Sequence, residues 1–470
     1  MNDDKPVDVV AGAEAFLRQD DVHEPMHDRF LWAVMQRRDA EAAALPEWEQ
    51  LRELASQIKE HTLTHLDRYL TEFEANAKRR GVKVHWARDA AEHNEIVYGI
   101  LHARGVTELI KSKSMLQEEC AMPAYLAARG IRVTESDLGE RIQQLDHQPP
   151  SHIVFPAIHK TRHDVAQLFA RTIGTDPNQD DPHVLTEAMR NNARPRFLAA
   201  GAGMTGANFA VAETGTFVVC TNEGNADIGA AVPPLHIASI GIEKLVPRVE
   251  DLGVFLRLLA RNGTGHPLTQ YSSHFSGPRR GGELHIVLVD NGRSRRLGMP
   301  DFWHSLKCIR CGACMNTCPV YRRSGGLAYG ATYSGPIGVI LDPTFDEHKY
   351  SELPFHSTLC GSCSAVCPVK IDISDQILKW RRVMANKGYL PLAKRVSFAV
   401  AGHVFAHPGE YHALQKAAAP ALNHSPDFLL YNKTLNPWGR DRDLPQLAKQ
   451  TFREWYLVNR KSDGSKHTES

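Results

Sequence analysis

The sequence predicts an α/β domain over residues 81–291, followed by a helical, cysteine-rich segment over residues 299–388. Two observations carry this prediction. Short apolar runs alternate with helical stretches after Gly81, which is typical of βαβ units in a largely parallel sheet. Seven of the nine cysteines then fall between Cys308 and Cys367. A chain of 470 residues exceeds the size of one core, so more than one domain is expected.

Composition and charge exclude several classes of protein. Apolar residues make up 42% and charged residues 23% of the chain, as in ordinary globular proteins. The formal charge of +1 gives no global basic field for nucleic acid or an anionic membrane. The acidic N-terminus lacks the features of a secretory signal, and no apolar run reaches the roughly 18 residues that span a bilayer. We therefore expect a cytoplasmic protein that reaches a membrane only through a partner.

The first 80 residues are predicted to form a helical segment that packs on the α/β domain. Its main element is one long amphipathic helix from about Glu47 to Arg80. Apolar side chains recur there at three- and four-residue steps, at Leu51, Leu54, Ile58, Leu66, Leu70 and Phe73.

Strands and helices are predicted in alternation through the α/β domain. The predicted strands are Val82–Trp86, Val106–Lys111, Ile131–Thr134, Ile153–Phe155, Phe217–Cys220, Ile237–Ile240 and Leu284–Val289. The helices predicted between the first strands are Ala90–Arg104 and Glu118–Arg129.

Several smaller motifs in this domain have both a structural and a functional interpretation. Gly201-Ala-Gly-Met-Thr-Gly206 matches a dinucleotide-binding pattern, but a strand, a turn and a strand follow it where that fold needs a helix. Glu213 is either an ordinary residue of that turn or a base or nucleophile. Lys111 and Lys113 are either solvated lysines or ligands of an anion, because open α/β sheets bind ligands where their strands end.

The isolated cysteines and the histidines carry weaker signals. Cys120 and Cys220 are expected to be small buried side chains, with the alternative that one of them ligates a metal cluster. His152 and His159 flank an apolar run, and no HxH or HExxH spacing makes them a metal site.

The cysteine runs carry the strongest chemical signal. The first, Cys308-x2-Cys311-x2-Cys314-x3-Cys318-Pro319, is a complete bacterial ferredoxin pattern. The second, Cys360-x2-Cys363-x3-Cys367-Pro368, has Ser357 where that pattern begins with cysteine. In this pattern the cysteine before proline ligates the neighbouring cluster. The sequence therefore predicts two clusters, one held by Cys308, Cys311, Cys314 and Cys367 and the other by Cys318, Cys360 and Cys363.

Two alternatives use the same cysteines. Paired CxxC motifs also bind zinc, and in a secreted chain they form disulfides. The run of four cysteines and the Cys-Pro ending of both runs favour iron–sulfur clusters. Such clusters need a reducing compartment, which agrees with a cytoplasmic location. The fourth ligand of the second cluster stays open among Ser357, water and an external ligand.

The chain beyond the cysteine runs is predicted to be helical. Ile373–Lys387 is one helix, and residues 389–470 form a separate C-terminal region in which six prolines separate short helices and loops. A polar end from Lys461 is predicted to be disordered.

Eight short segments, spread over most of the chain, are more specific than the cysteine runs. They are Lys111-Ser-Lys-Ser-Met115, Asp137-Leu-Gly-Glu140, His152-Ile-Val-Phe-Pro-Ala-Ile-His-Lys160, Ala212-Glu-Thr-Gly215, Val289-Asp-Asn-Gly-Arg293, Cys308-Ile-Arg-Cys-Gly-Ala-Cys314, Tyr333-Ser-Gly-Pro-Ile-Gly338 and Asn436-Pro-Trp-Gly439. Together they resemble the lactate-utilisation iron–sulfur proteins of the LutB/LldF type.

The resemblance implies a three-part architecture. A three-layer α/β domain of the NagB/RpiA/CoA-transferase-like class, called the LUD domain, precedes a helical ferredoxin-like domain and a LutB-type C-terminal domain. The family's ligands of two [4Fe-4S] clusters carry over onto the seven cysteines assigned above. The resemblance also implies electron transfer in a complex that oxidises L-lactate to pyruvate. The implied partners are a cysteine-rich LutA-type subunit, a LutC-type LUD-domain subunit and a downstream electron acceptor.

Two other functions are consistent with the residues. One is an enzyme in its own right, which uses an open iron of the three-cysteine cluster or the LUD domain for small-acid chemistry. The other is an assembly scaffold in which the clusters only stabilise the fold. The favoured hypothesis is a relay that passes electrons from lactate through two linked clusters to another carrier, and no catalytic residue is assigned.

Overall fold

Four helices precede the first β-strand in the computed structural model, which describes residues 5–432 and 446–463. They are α1 (Val9–Leu17), α2 (His23–Ala43), α3 (Trp48–Thr64) and α4 (Leu66–Arg79). The single helix predicted from Glu47 to Arg80 is wrong in one respect, because the chain breaks at His65. The hydroxyls of Thr62 and Thr64 donate to carbonyls four residues earlier, and such bonds bend helices. The break lets α3 join the core around the cysteine runs and α4 the core of the sheets.

Ten strands form two sheets. They are β1 (Lys83–Ala87), β2 (Glu108–Lys111), β3 (Arg132–Glu135), β4 (Ala202–Thr205), β5 (Phe209–Val211), β6 (Thr216–Thr221), β7 (Leu235–Gly241), β8 (Leu245–Val246), β9 (Tyr271–Phe275) and β10 (Glu283–Val289). Six of them form a wholly parallel sheet in the order β1-β10-β7-β4-β2-β3, so the α/β prediction is confirmed. In the register, Ile286 of β10 lies between Val84 of β1 and Ala238 of β7.

Helices lie between the strands along the chain, and the last of them follows β10. They are α5 (Ala90–His102), α6 (Met115–Glu119), α7 (Met122–Ala127), α8 (Leu138–Leu145), α9 (Arg162–Ile173), α10 (Pro182–Ala199), α11 (Asn225–Ala231), α12 (Val249–Thr264) and α13 (Arg293–Leu297). The helix predicted over Glu118–Arg129 is instead split between α6 and α7. Ala121 lies in the left-handed region with φ 49°, and Pro123 stands in the first turn of the next helix, where its missing N–H is not needed.

The strand predicted at Ile153–Phe155 does not form. His152 Nδ1 accepts hydrogen bonds from the backbone N–H groups of Val154 and Phe155 at 2.9 and 3.0 Å. These amides are therefore unavailable to a neighbouring strand, and the segment becomes a loop anchored by its own histidine. His152 Nε2 also pairs with Asn316 Oδ1 at 2.9 Å, which ties the loop to the cysteine-rich segment.

The second sheet has the order β8-β5-β6-β9. Strands β5 and β6 pair antiparallel across the turn that contains Glu213, as the sequence predicts for the segment after Gly206. The glycine motif itself includes β4 and leads into β5 rather than into a helix, so it is not a dinucleotide fingerprint.

Further helices form the cysteine-rich segment and the C-terminal region. They are α14 (Ala313–Thr317), α15 (Pro319–Ser324), α16 (Gly335–Leu341), α17 (Ser362–Ala365), α18 (Ile373–Asn386), α19 (Leu392–Ala406), α20 (Pro408–Asn423), α21 (Asp427–Leu430) and α22 (Phe452–Asp463). Residues up to Tyr389 form one compact unit, and residues from Leu390 onward form a second.

The predicted features of the C-terminal region are only partly covered by the structure. The polar end predicted from Lys461 begins within α22, and the residues after Asp463 lie outside the described part. The segment Asn436-Pro-Trp-Gly439 also lies outside it. No helix in the described ranges is both long and apolar enough to cross a bilayer.

One close contact fixes how α11 packs on β4. A Cβ added to Gly203 would stand 1.8 Å from the carbonyl oxygen of Gly229. We expect Gly203→Ala to lower the free energy of unfolding by about 1–3 kcal/mol, because strand and helix must separate to admit the methyl group. Urea unfolding followed by circular dichroism measures the change.

The matched control is Gly253→Ala, at an exposed position inside α12 where an added Cβ meets no atom within 4 Å. This variant should be more stable by about 0.5–1 kcal/mol, because alanine favours a helix over glycine. Equal effects of the two substitutions would contradict the proposed close contact.

Candidate metal centre

The first cysteine run wraps around the short helix α14. Arg310 and Gly312 have φ angles of 61° and 82°, which turn the chain so that Cys308 and Cys311 face the same cavity as Cys314. A positive φ at a residue other than glycine is uncommon, so the turn at Arg310 is held by its surroundings.

Four of the predicted ligands line one small cavity. They are Cys308, Cys311, Cys314 and Cys367, and they come from both runs. Most of the remaining lining is apolar, from Ile153, Ile309, Ile337, Val369, Ile371 and Ile373. All nine cysteines are free thiols. The fold therefore gathers sulfur atoms in an apolar environment without forming disulfides.

Backbone N–H groups point at the sulfur atoms. The N–H of Arg310 donates to Cys308 Sγ at 3.4 Å, and that of Ile371 donates to Cys367 Sγ at 3.3 Å. Cys318 Sγ accepts a third such bond, 3.5 Å long, at the start of α15. N–H donors of this kind stabilise the negative charge of thiolates bound to iron.

Burial keeps these thiols protonated unless a metal replaces the proton. It raises the pKa of Cys367 to about 11 and the pKa of Cys363 to about 12, and the nearby Cys318 and Cys360 add to the latter effect. Metal binding releases such protons and supplies the charge that the N–H donors face. The donor set, its burial and its hydrogen bonds therefore fit a thiolate-bound iron–sulfur group.

Sulfur spacing argues against zinc. Four sulfurs around one zinc ion lie about 3.8 Å apart, given Zn–S bonds of about 2.3 Å. Within the described ranges, the only three metal-ligating side chains whose donor atoms lie within 4.8 Å of one another are His403, His407 and Glu410, all exposed. No three cysteine sulfurs approach that closely, as expected when a larger cluster separates them.

Ser357 repeats the local geometry of Cys308. Leu359 has a φ of 54°, close to the 61° of Arg310 at the matching position of the first run. The Leu359 N–H donates to Ser357 Oγ at 3.2 Å, as the Arg310 N–H does to Cys308 Sγ. The serine oxygen thus stands where the first run has the predicted ligand Cys308. Cys360, three residues on, is exposed.

Two arginines of the N-terminal helices hold the second run in place. Arg52 of α3 donates to the carbonyl oxygens of Ala365 and Cys367 at 2.7 and 2.9 Å. Arg38 of α2 donates to the Val366 carbonyl at 3.4 Å. Sequence analysis missed both residues, because an arginine on an amphipathic helix has the same pattern whether it is solvated or bonded to a distant loop.

A buried charge network joins the first run to the parallel sheet. Arg293 donates to Glu119 Oε1 at 2.8 Å and to Glu243 Oε2 at 2.5 Å. The Tyr333 hydroxyl donates to Glu119 at 2.6 Å, and the Arg310 guanidinium lies 4.6 Å from the centre of the Tyr333 ring. Burial alone raises the pKa of Glu243, but the positive charges around it, Arg293 first, hold that pKa well below its usual range.

The two lysines singled out in the sequence have different surroundings. Lys111 is fully buried and ion-paired with Glu135 at 2.8 Å and Glu118 at 3.0 Å, so it is neither solvated nor a free ligand for an anion. Lys113 donates to the Val154 carbonyl at 2.8 Å and lines a second, larger cavity.

The remaining single residues have structural contacts. Glu213 accepts a hydrogen bond from the N–H of Val249 at 3.0 Å, which favours its interpretation as a turn residue at the start of α12. Cys120 lies in the apolar core of the sheet, and burial raises the pKa of Cys220 to about 11. His159 Nδ1 pairs with Ser151 Oγ at 2.8 Å and belongs to the anchored loop rather than to a metal site.

Comparison with known proteins identifies both parts of the first unit. Residues 70–296 match the LUD domain, and residues 304–371 match the 4Fe-4S dicluster domain. Lactate utilization protein B of Bacillus cytotoxicus is 40% identical over 433 residues, which cover 89% of this chain and 90% of that protein. Lactate utilization protein B 2 of Bacillus mycoides is 40% identical over 438 residues, covering 90% and 91%. This chain belongs to the lactate utilization protein B family.

The family assignment confirms the resemblance inferred from the short segments. The match to the 4Fe-4S dicluster domain supports an iron–sulfur cofactor in this segment over the zinc and disulfide alternatives. A crystal structure of a DUF162 family protein from Deinococcus radiodurans is 16% identical, with a TM-score of 0.27, and covers 48% of this chain and 98% of its own.

The geometry at Ser357 predicts a ligand on the second cluster. We expect Ser357→Ala to change the electron paramagnetic resonance (EPR) signal of one cluster and to speed its loss of iron to a chelator at least tenfold. Ser357→Cys should restore chelator resistance by supplying a thiolate. Thr358→Ala, which changes the exposed neighbouring side chain, is the matched control. If Ser357→Ala leaves both clusters unchanged in number and spectrum, serine is not a ligand.

Proposed function

We propose that this chain is the electron-transfer subunit of a complex that oxidises L-lactate to pyruvate. The observation that carries the proposal is the convergence of Cys308, Cys311 and Cys314 with Cys367 around one apolar cavity. Membership in a family whose members are named for lactate utilization supports the substrate. Two [4Fe-4S] clusters would accept one electron each from a two-electron oxidation.

The proposed ligands interleave the two cysteine runs. The first cluster takes Cys308, Cys311, Cys314 and Cys367, and the second takes Cys318, Cys360 and Cys363 with the oxygen of Ser357. Each run thus gives one cysteine to the cluster of the other run, so the chain holds both clusters close together. Short, fixed separation favours electron tunnelling between them.

The exposure of the ligands suggests where electrons leave. Among the seven proposed cysteine ligands Cys360 is exposed, whereas those of the first cluster are buried or half-buried. The second cluster would therefore exchange electrons with a carrier outside this chain. We propose a cysteine-rich LutA-type subunit and a LutC-type LUD-domain subunit as partners, together with a downstream acceptor.

The interleaved ligand assignment predicts which cluster each single cysteine substitution removes. Cys367→Ala should remove the same EPR signal, and about half of the iron, as Cys314→Ala, although the two residues belong to different runs. Cys363→Ala should remove the other signal. Cys220→Ala, a half-buried cysteine outside both runs, is the control and should keep both. If Cys367→Ala and Cys363→Ala remove the same signal, the assignment is wrong.

The relay itself is tested by reduction with substrate. Both clusters of the anaerobically purified chain should become reduced when L-lactate is added together with the two partner subunits, as followed by EPR. The isolated chain should stay oxidised under the same conditions. Lactate turnover by the complex without reversible cluster reduction would support a scaffold instead, and turnover by the isolated chain would support an enzyme in its own right.

A further inference from the structure

A cavity of about 330 Å³ lies at the carboxyl ends of three central strands. Ser112 and Lys113 follow β2, Gly206 follows β4 and Gly241 ends β7, and all four residues line it. Cys311 of the first run lines it as well. Parallel α/β sheets bind ligands at this edge, and small-molecule sites start at roughly 300 Å³.

Two cations line this cavity with hydrogen-bond donors to spare. Lys244 makes no hydrogen bond or ion pair with any residue that the structure describes. The Arg310 guanidinium stands 3.9 Å from Glu243 Oε1, beyond hydrogen-bond distance, and its side chain is only 10% exposed. Both carboxylate oxygens of Glu243 already face cations, because Arg293 donates to its other oxygen, Oε2. Lys244 is half-buried and Arg310 is nearly buried, and cations with unused donors in such positions lack the partners that usually offset their loss of water.

Two hydroxyl groups of the cavity lining also lack partners. The side-chain oxygens of Ser112 and Thr221 are buried and make no hydrogen bond within the described part of the chain. A buried hydroxyl destabilises a protein by about 1–3 kcal/mol unless a hydrogen-bond partner reaches it. A ligand oxygen in the cavity would offer them a partner.

The lining also limits the charge of a ligand. Asp137 and Glu223 line the same cavity, and neither forms an ion pair with a described residue. Lys113 lines the cavity too and offsets one of the two carboxylates. A second carboxylate on a ligand would still meet an excess of like charge there, which disfavours binding. One negative charge next to Lys244 and Arg310 suits the cavity better than two.

We propose that this cavity binds a small organic monoanion, whose carboxylate pairs with Lys244 and Arg310 and whose neighbouring hydroxyl or keto oxygen pairs with the buried hydroxyls. The ligand class is the 2-hydroxy and 2-oxo monocarboxylates. The inference extends the proposed function by naming a ligand. It rests on the proposed function in one respect, because Cys311 lines the cavity and is a proposed ligand of the first cluster. A monoanion would therefore bind beside the first cluster.

A competing explanation is that the two cations only offset the negative charge of the first cluster. The two explanations differ in whether an added anion binds. In the competing case Lys244→Met changes the potential of the first cluster, but no carboxylate binds saturably. In the proposed case the negative charges of the cluster and of the anion face the same two cations. Binding of the anion and reduction of the cluster therefore disfavour each other.

The test is calorimetric titration of the anaerobically purified, oxidised chain with pyruvate. We expect saturable binding of one pyruvate per chain, at least tenfold weaker binding of the dicarboxylate malonate, and at least tenfold weaker pyruvate binding by Lys244→Met. Lys244→Arg, which keeps the charge, should bind within a few-fold of the original chain. Lys78→Met, at an exposed lysine of α4, is the control and should bind unchanged, with iron content equal in all variants.

A second measurement needs no variant. Saturating pyruvate should lower the midpoint potential of the first cluster, by about 59 mV for each tenfold difference in affinity between oxidised and reduced chain. The absence of saturable pyruvate binding, equal binding of malonate, or unchanged binding by Lys244→Met with full iron content would each overturn the proposal. Failure of lactate and partners to reduce the clusters would count against the relay alone, because the titration uses the oxidised, isolated chain.

Discussion

A buried set of charges connects the parallel sheet to the cysteine-rich segment. Arg293 lies between the carboxylates of Glu119 and Glu243, and all three side chains are at most 4% exposed. Tyr333 and Arg310, which follow the sheet in the chain, complete the set. Removing one member of such a buried pair typically destabilises a protein by about 3–5 kcal/mol, because the remaining charge is left without a partner. The turn at Arg310 is therefore held in place by buried contacts, and the position of the first cysteine run depends on the sheet.

The second run has a different support. Arg38 and Arg52, on helices before the first strand, bond to carbonyls between Ala365 and Cys367. Cys367 joins the first run at its cavity, so both supports must be in place before four sulfurs face one another. The N-terminal helices, the sheet and the cysteine-rich segment are thus parts of one cooperative unit, which explains why a short segment with little regular structure can hold buried thiols in defined positions.

Sequence reasoning succeeded where the information is local. Cysteine spacing predicts that Cys367 joins the first run, and the structure brings it to the cavity of that run. The alternation of apolar runs predicts a parallel sheet without any knowledge of its order. It failed where residues distant in the sequence determine the contacts of a side chain or a backbone segment. Lys111 looks like a surface lysine until Glu135 and Glu118 surround it, and Ile153–Phe155 reads as a strand until the His152 ring takes its amides. The cavity at the strand ends could be placed from topology, but the cations that line it could not, because Arg310 reaches it only through tertiary packing.

The asymmetry between the two proposed clusters would give the proposed relay a direction in space. The first cluster would lie beside the cavity that Lys244, Arg310 and Cys311 line. The second would lie at the exposed Cys360, and Ser357 there offers an oxygen where the first run has a sulfur. Positive charge beside the first cluster would favour its reduced form, whereas the exposure of Cys360 would make the second cluster the point of contact with another carrier. The two ends of this proposed path have different supports, because the buried charges around Arg293 hold the first run and the arginines of the N-terminal helices hold the second.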